Sequence, residues 1–137
     1  MSDRFVLGGR AFVPIGPSTA KHDTWMMGRA RRAGVDRLVV IEGETLEEYG
    51  VRFLGEICAS AEGPFLIFAG CIVPEGVAWS PEVAEATAKH VEALTSEEDK
   101  TTLWPLLASM VIAFFGDGVK RSFGFGAFSR ARPRAGQ

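Results

Sequence analysis

Thr95-Ser96-Glu97-Glu98-Asp99-Lys100 leads through Thr101-Thr102 into Leu103-Trp104-Pro105-Leu106-Leu107-Ala108-Ser109-Met110-Val111-Ile112-Ala113-Phe114-Phe115. Thr95 with Glu98 three residues on has the form of a capping box, and acids in a first turn oppose the helix dipole favourably. The apolar run beyond this cap makes a helix with too little polar surface to stand in water, so it predicts a packed α-helical body. Pro105 lies inside it. Its ring removes one backbone hydrogen bond and predicts a kink, or a restart at Trp104. The apolar run falls short of the ~20 residues that a bilayer span requires. Gly116-Asp117-Gly118 should end the helix.

Working outward, the residues from Val119 hold Lys120, Arg121, Arg130, Arg132 and Arg134, no acid, and the interleaved Phe123, Phe125 and Phe128. This end reads as a flexible basic tail over 119–137. Residues 1–116 carry ten basic and sixteen acidic side chains, so the body is acidic and the end basic although the net charge is only −2. Exposed cations attract any anionic surface until salt screens them, so the tail points to a protein contact before a nucleic acid.

Toward the N-terminus, Trp79 precedes Ser80-Pro81-Glu82, which places a cap at Ser80 and proline at the first helical position, where its missing N–H costs nothing. Val83, Thr87, Val91 and Leu94 form that helix's apolar stripe, with Glu82, Glu85, Lys89 and Glu92 toward water. Before it, Phe65-Leu66-Ile67-Phe68-Ala69-Gly70-Cys71-Ile72-Val73 carries no charge and must be central to the core, with Pro74-Glu75-Gly76 as a turn. Thr45 and Glu48 form a second capping box, and Leu46, Tyr49, Phe53 and Ile57 give a helical stripe running to about Ala61. Glu48, Arg52 and Glu56 come at four-residue spacing as a solvated charged face. Leu38-Val39-Val40-Ile41 reads as a short strand within 35–41. A helix starting at Thr19, capped by Ser18, runs to about Ala33, with Arg29, Arg31 and Arg32 in its last turn and Gly34 beyond. Arg4-Phe5-Val6-Leu7, Gly8-Gly9 and Arg10-Ala11-Phe12-Val13 make a β-hairpin, because two glycines tolerate the positive φ that a tight turn needs.

The predicted fold is therefore mainly α (α+β): an N-terminal β-hairpin over 4–13, then a compact bundle of about five helices over 18–118, in one globular domain 1–118. At 137 residues such a chain buries one core without help from disulfides or metal. Cys58 and Cys71 sit among apolar neighbours and are expected to be buried free thiols. His22 and His90, each beside a lysine, lack a partner at metal-ligand spacing and are expected at the surface. Glu47-Glu48 and Glu97-Glu98 belong to first helical turns. No catalytic residues, metal site or cofactor are predicted. Met1-Ser2-Asp3-Arg4 runs straight into Phe5-Val6-Leu7, without the pattern of a secretory signal. Aromatic surface remains as the functional pointer: Trp104, Met110, Phe114, Phe115, Phe123, Phe125 and Phe128 are the candidate protein-binding residues.

The order of parts, from Arg4-Phe5-Val6-Leu7-Gly8-Gly9-Arg10-Ala11-Phe12 through Trp79-Ser80-Pro81-Glu82 to the Leu94-Thr95-Ser96-Glu97-Glu98-Asp99-Lys100 junction and a terminal Phe-Phe helix, resembles the tail assembly proteins of long-tailed bacteriophages over residues 4 to 118. The resemblance implies a chaperone of virion morphogenesis in the host cytoplasm. Such a protein coats the long, helical tape-measure protein while the tail tube polymerises. It also implies that a longer product could arise by frameshifting near the end of the reading frame. The runner-up is a structural virion subunit, a tail-completion or connector protein locking into its neighbours. Expected partners are the tape-measure or tail-tube protein, with self-association as a second route; neither nucleic acid nor membrane is expected.

Overall fold

The computed structural model describes residues 3–34 and 41–113, the side chain of Leu46 apart. Its elements in chain order are β1 (Phe5–Leu7), β2 (Arg10–Pro14), α1 (Ala20–Arg32), α2 (Leu46–Ala59), α3 (Phe65–Ala69), β3 (Ile72–Pro74), α4 (Pro81–Glu92) and α5 (Glu97–Ala113). Among the described residues the fold is the expected mainly helical α+β arrangement, an N-terminal hairpin followed by five helices, with a third strand added to make a small antiparallel sheet. The strands lie in the order β1-β2-β3.

The hairpin forms as its sequence predicts: Leu7 faces Arg10 across Gly8 and Gly9, whose φ angles are +59° and +76°. The third strand is the addition. Ile72 and Val73 pair with Pro14 and Val13, and the ladder continues as Ile15 N–H donates to the Cys71 carbonyl at 3.0 Å. Pro74, read as the start of a turn, instead closes β3 opposite Phe12, and the turn begins at Glu75. A strand of three residues leaves almost no periodic trace, so its pairing is decided by the tertiary fold. The remainder of that apolar segment coils into the short α3, whose Ile67, Phe68 and Ala69 are fully buried.

α1 starts one residue later than its sequence suggests. Thr19 is the cap, its hydroxyl accepting from His22 N–H at 3.2 Å, and Gly34 comes after the helix at φ +80°. α2 carries the expected capping box in full, with Glu48 N–H donating to Thr45 Oγ1 at 3.0 Å and Thr45 N–H to Glu48 Oε1 at 2.9 Å. It ends at Ala59, and its Tyr49, Phe53 and Ile57 are buried. Ser80 caps α4 as expected, accepting from Val83 N–H at 3.1 Å. Trp79 packs on the cluster of Ala69, Ala84 and Ala88, as a hydrophobic staple should. The stripe of α4 is Ala84, Thr87, Ala88 and Val91, while Val83 and Leu94 are only half-buried. Small alanines let α4 approach α3 closely, which is why a stripe drawn from larger side chains misses them.

One core joins these parts: Leu7 and Phe12 of the sheet, Met26 and Ala30 of α1, Phe53 and Ile57 of α2, Ile67 and Phe68 of α3, Val91 of α4, and Leu103, Leu107 and Val111 of α5. Gly70 leaves no room for a side chain, since a methyl group there would lie 2.1 Å from Met26 Sδ and 2.8 Å from the Trp25 ring. The short strand expected at 35–41 lies, apart from Ile41, outside the described residues.

Candidate functional site

α5 runs continuously from Glu97 to Ala113 through Pro105. The capping residue is Ser96 rather than Thr95: Ser96 Oγ accepts from Asp99 N–H at 3.1 Å and donates to Asp99 Oδ2 at 2.8 Å. Every fourth residue inward, Leu103, Leu107 and Val111, enters the core. The opposite face is the unusual one. From Thr101 to Ala113 the helix has no charged residue, yet Thr101, Trp104, Pro105, Ser109 and Ala113 are exposed. An uncharged, exposed helix face about 18 Å long is what remains when a sequence apolar on all sides is buried on one side only.

Trp104 leads that face. The residue is 41% exposed, and its ring rests against Phe65 at a centroid distance of 5.9 Å and 52° between planes. Beside it lies an open groove of about 490 Å³ walled by Glu97, Lys100, Thr101, Trp104 and Pro105. Lys100 Nζ reaches Glu97 Oε1 at 3.0 Å across its rim. Glu97 and Glu98, both exposed, lie at the N-terminal end of the same helix. Trp104 thus stands between the charged first turn of α5 and the uncharged exposed face that follows it.

Of the other residues expected to bind protein, Met110 is half-buried and packs against the core, so it supports the face from below. Phe114, Phe115, Phe123, Phe125 and Phe128 lie outside the described residues. Thr101 and Pro105 belong to the face and were missed, because a search for aromatic area ignores the small residues between the rings.

Both histidines depart from their expected surface positions. His22 is 2% exposed, its Nε2 2.6 Å from the Gly70 carbonyl and its ring edge-on to Trp79 at 4.6 Å. The spacing His22, Met26, Ala30, Ala33 marked it as part of the core stripe of α1. His90 is half-buried, with Nε2 2.8 Å from the Leu7 carbonyl. Together with Asp99, whose Oδ1 accepts from Gly8 N–H at 3.1 Å, it clasps the hairpin tip from α4 and α5. The Gly8 amide and the Ser96 hydroxyl hold the Asp99 carboxyl below its usual range.

Charge on α2 is also arranged differently from its four-residue spacing. Arg52 turns back to Glu44 with two bonds, Nε to Oε2 at 3.0 Å and Nη2 to Oε1 at 2.9 Å, and the Glu44 side chain is only 7% exposed. That sheltered bidentate pair raises the Arg52 pKa, and burial raises that of Tyr49 beside it. Cys71 is buried, which pushes its thiol up to about 12, whereas Cys58, expected to be buried, is exposed; both are free.

A second concavity, of about 330 Å³, lies between the loop at Ile15–Thr19, Val73 and Trp79, with mostly apolar walls. Among the described residues no cluster of histidine, cysteine or carboxylate side chains is arranged to hold a metal ion. No helix among them is long and apolar enough to cross a membrane. Comparison with protein families, with characterised proteins and with solved structures finds no match to this chain.

Proposed function

We propose that this chain is a protein-binding assembly factor, a phage-type tail assembly chaperone that covers a long helical tape-measure-type protein in the host cytoplasm. The observation that carries the reading is the exposed, charge-free outer face of α5 with Trp104 at its head. A folded domain gains nothing from leaving indole and proline in water, whereas a docking face gains affinity when they are covered. A client helix with its own apolar stripe fits a face about 18 Å long, which corresponds to some three helical turns. The net acidic charge of residues 1–116 keeps the covered complex soluble.

Co-expression with a long, alanine-rich helical client tests the proposal. The chain should be retained with the client, and Trp104→Ala should weaken retention by on the order of 30-fold, the scale of an interface hot spot. Its urea midpoint should fall by less than about 1 M, since a half-exposed ring contributes about 1 kcal/mol of packing here and the variant stays folded. Equal retention by the wild type and the variant would reject the α5 face as the docking site. A fixed copy number in finished particles would favour the structural-subunit reading instead.

A further inference from the structure

We infer that the groove beside Trp104 takes an arginine side chain of the docked helix, with its guanidinium between the indole face, the Glu97 carboxylate and the backbone carbonyl of Thr101. The inference rests on the docking face proposed above and names what that face recognises. Pro105 is its origin. In an α-helix the carbonyl of residue 101 is aimed at the amide of residue 105, and proline has no amide hydrogen. Thr101 therefore presents an acceptor without its ordinary intrahelical donor, on a residue that walls the groove. A partner that covers the groove excludes solvent from that oxygen and must bring a donor of its own, or leave a buried acceptor unsatisfied.

The neighbouring groups select the donor. Glu97, with a side chain 90% exposed, supplies negative charge, and its link to Lys100 is an exposed pair of the kind that exchanges at little cost. Trp104 supplies a π face. A guanidinium is planar, permanently charged and carries five N–H donors, so it can lie on the indole while its edge serves both oxygens. An ammonium has no plane to stack, and a neutral amide can donate to Glu97 but lacks the positive charge of a guanidinium.

Calorimetric titration of the full chain tests this with an amphipathic, alanine-rich helical peptide of about 20 residues. The peptide carries a central arginine, or citrulline or methionine in its place. The arginine peptide should bind about tenfold more tightly than the citrulline peptide, and Glu97→Gln should remove that advantage. Pro105→Ala restores an amide facing Thr101. The variant should melt at a higher temperature and yet lose about tenfold more affinity for the arginine peptide than for the methionine peptide, whose binding feels only the loss of the proline ring from the face. A purely structural proline would show no such split between stability and affinity. Equal binding of all three peptides, or an arginine advantage untouched by Pro105→Ala, overturns the inference and leaves the docking face standing. Arginine-selective binding by a chain that retains no helical client overturns the chaperone reading alone. If no peptide binds and no client is retained, both fall.

Discussion

Gly8 has φ +59°, and a methyl group built on it would lie 2.7 Å from Leu94 Cδ2 and 3.0 Å from His90 Nε2. Gly9, at φ +76°, has nothing within 4 Å of the same position. The two glycines look alike in the sequence, but they answer to different constraints. Gly9→Ala should cost only the left-handed strain, about 1–2 kcal/mol. Gly8→Ala should cost about 1 kcal/mol more, because it also displaces the Leu94 methyl and crowds the His90 ring that bonds the Leu7 carbonyl. Urea denaturation of both variants checks this, and equal losses would show that the tip is not clasped. At this scale the turn itself was legible, since a Gly-Gly pair between β-prone runs has few other uses. The grip on it was not, because His90 and Asp99 look like ordinary helix-surface residues until two distant elements bring them to Leu7 and Gly8.

Helix boundaries show how a local pattern and a tertiary contact compete. Thr95 with Glu98 and Ser96 with Asp99 fit the same capping rule one residue apart, and the sequence favours the first on residue type. The fold selects the second because Asp99 must present its other oxygen to Gly8 N–H. Ser96→Ala should therefore cost about 1 kcal/mol of stability and Thr95→Ala a few tenths, as read from thermal unfolding. The reverse order would put the cap at Thr95. Capping at Thr45 and Ser80 was legible because no such rival contact intervenes. Strand β3 was not legible: three residues ending in proline carry too little periodicity, and the partner strand lies nearly sixty residues earlier. The candidate site divides in the same way. That α5 is uncharged on every side from Thr101 onward is evident from its sequence, but which side stays open depends on where α2, α3 and β1 pack against it.

For the whole molecule, every element from β1 to α5 contributes to a single core, so cooperativity should be all-or-none across the described residues. A chain ending at Thr95 would lack Leu103, Leu107 and Val111 as well as Asp99. It is expected to lose its near-ultraviolet circular dichroism and its sharp thermal transition while keeping some helical signal. A cooperative melt of that fragment would show that α5 is an accessory to a smaller domain. The clasp on the hairpin also orders events during synthesis. Leu7 and Gly8 leave the ribosome well ahead of their ligands, His90 and Asp99, which are separated from them by 83 and 91 positions. The β1–β2 ribbon must therefore wait, partly assembled, while α1 to α4 are translated, and only the emergence of α5 locks its turn in place.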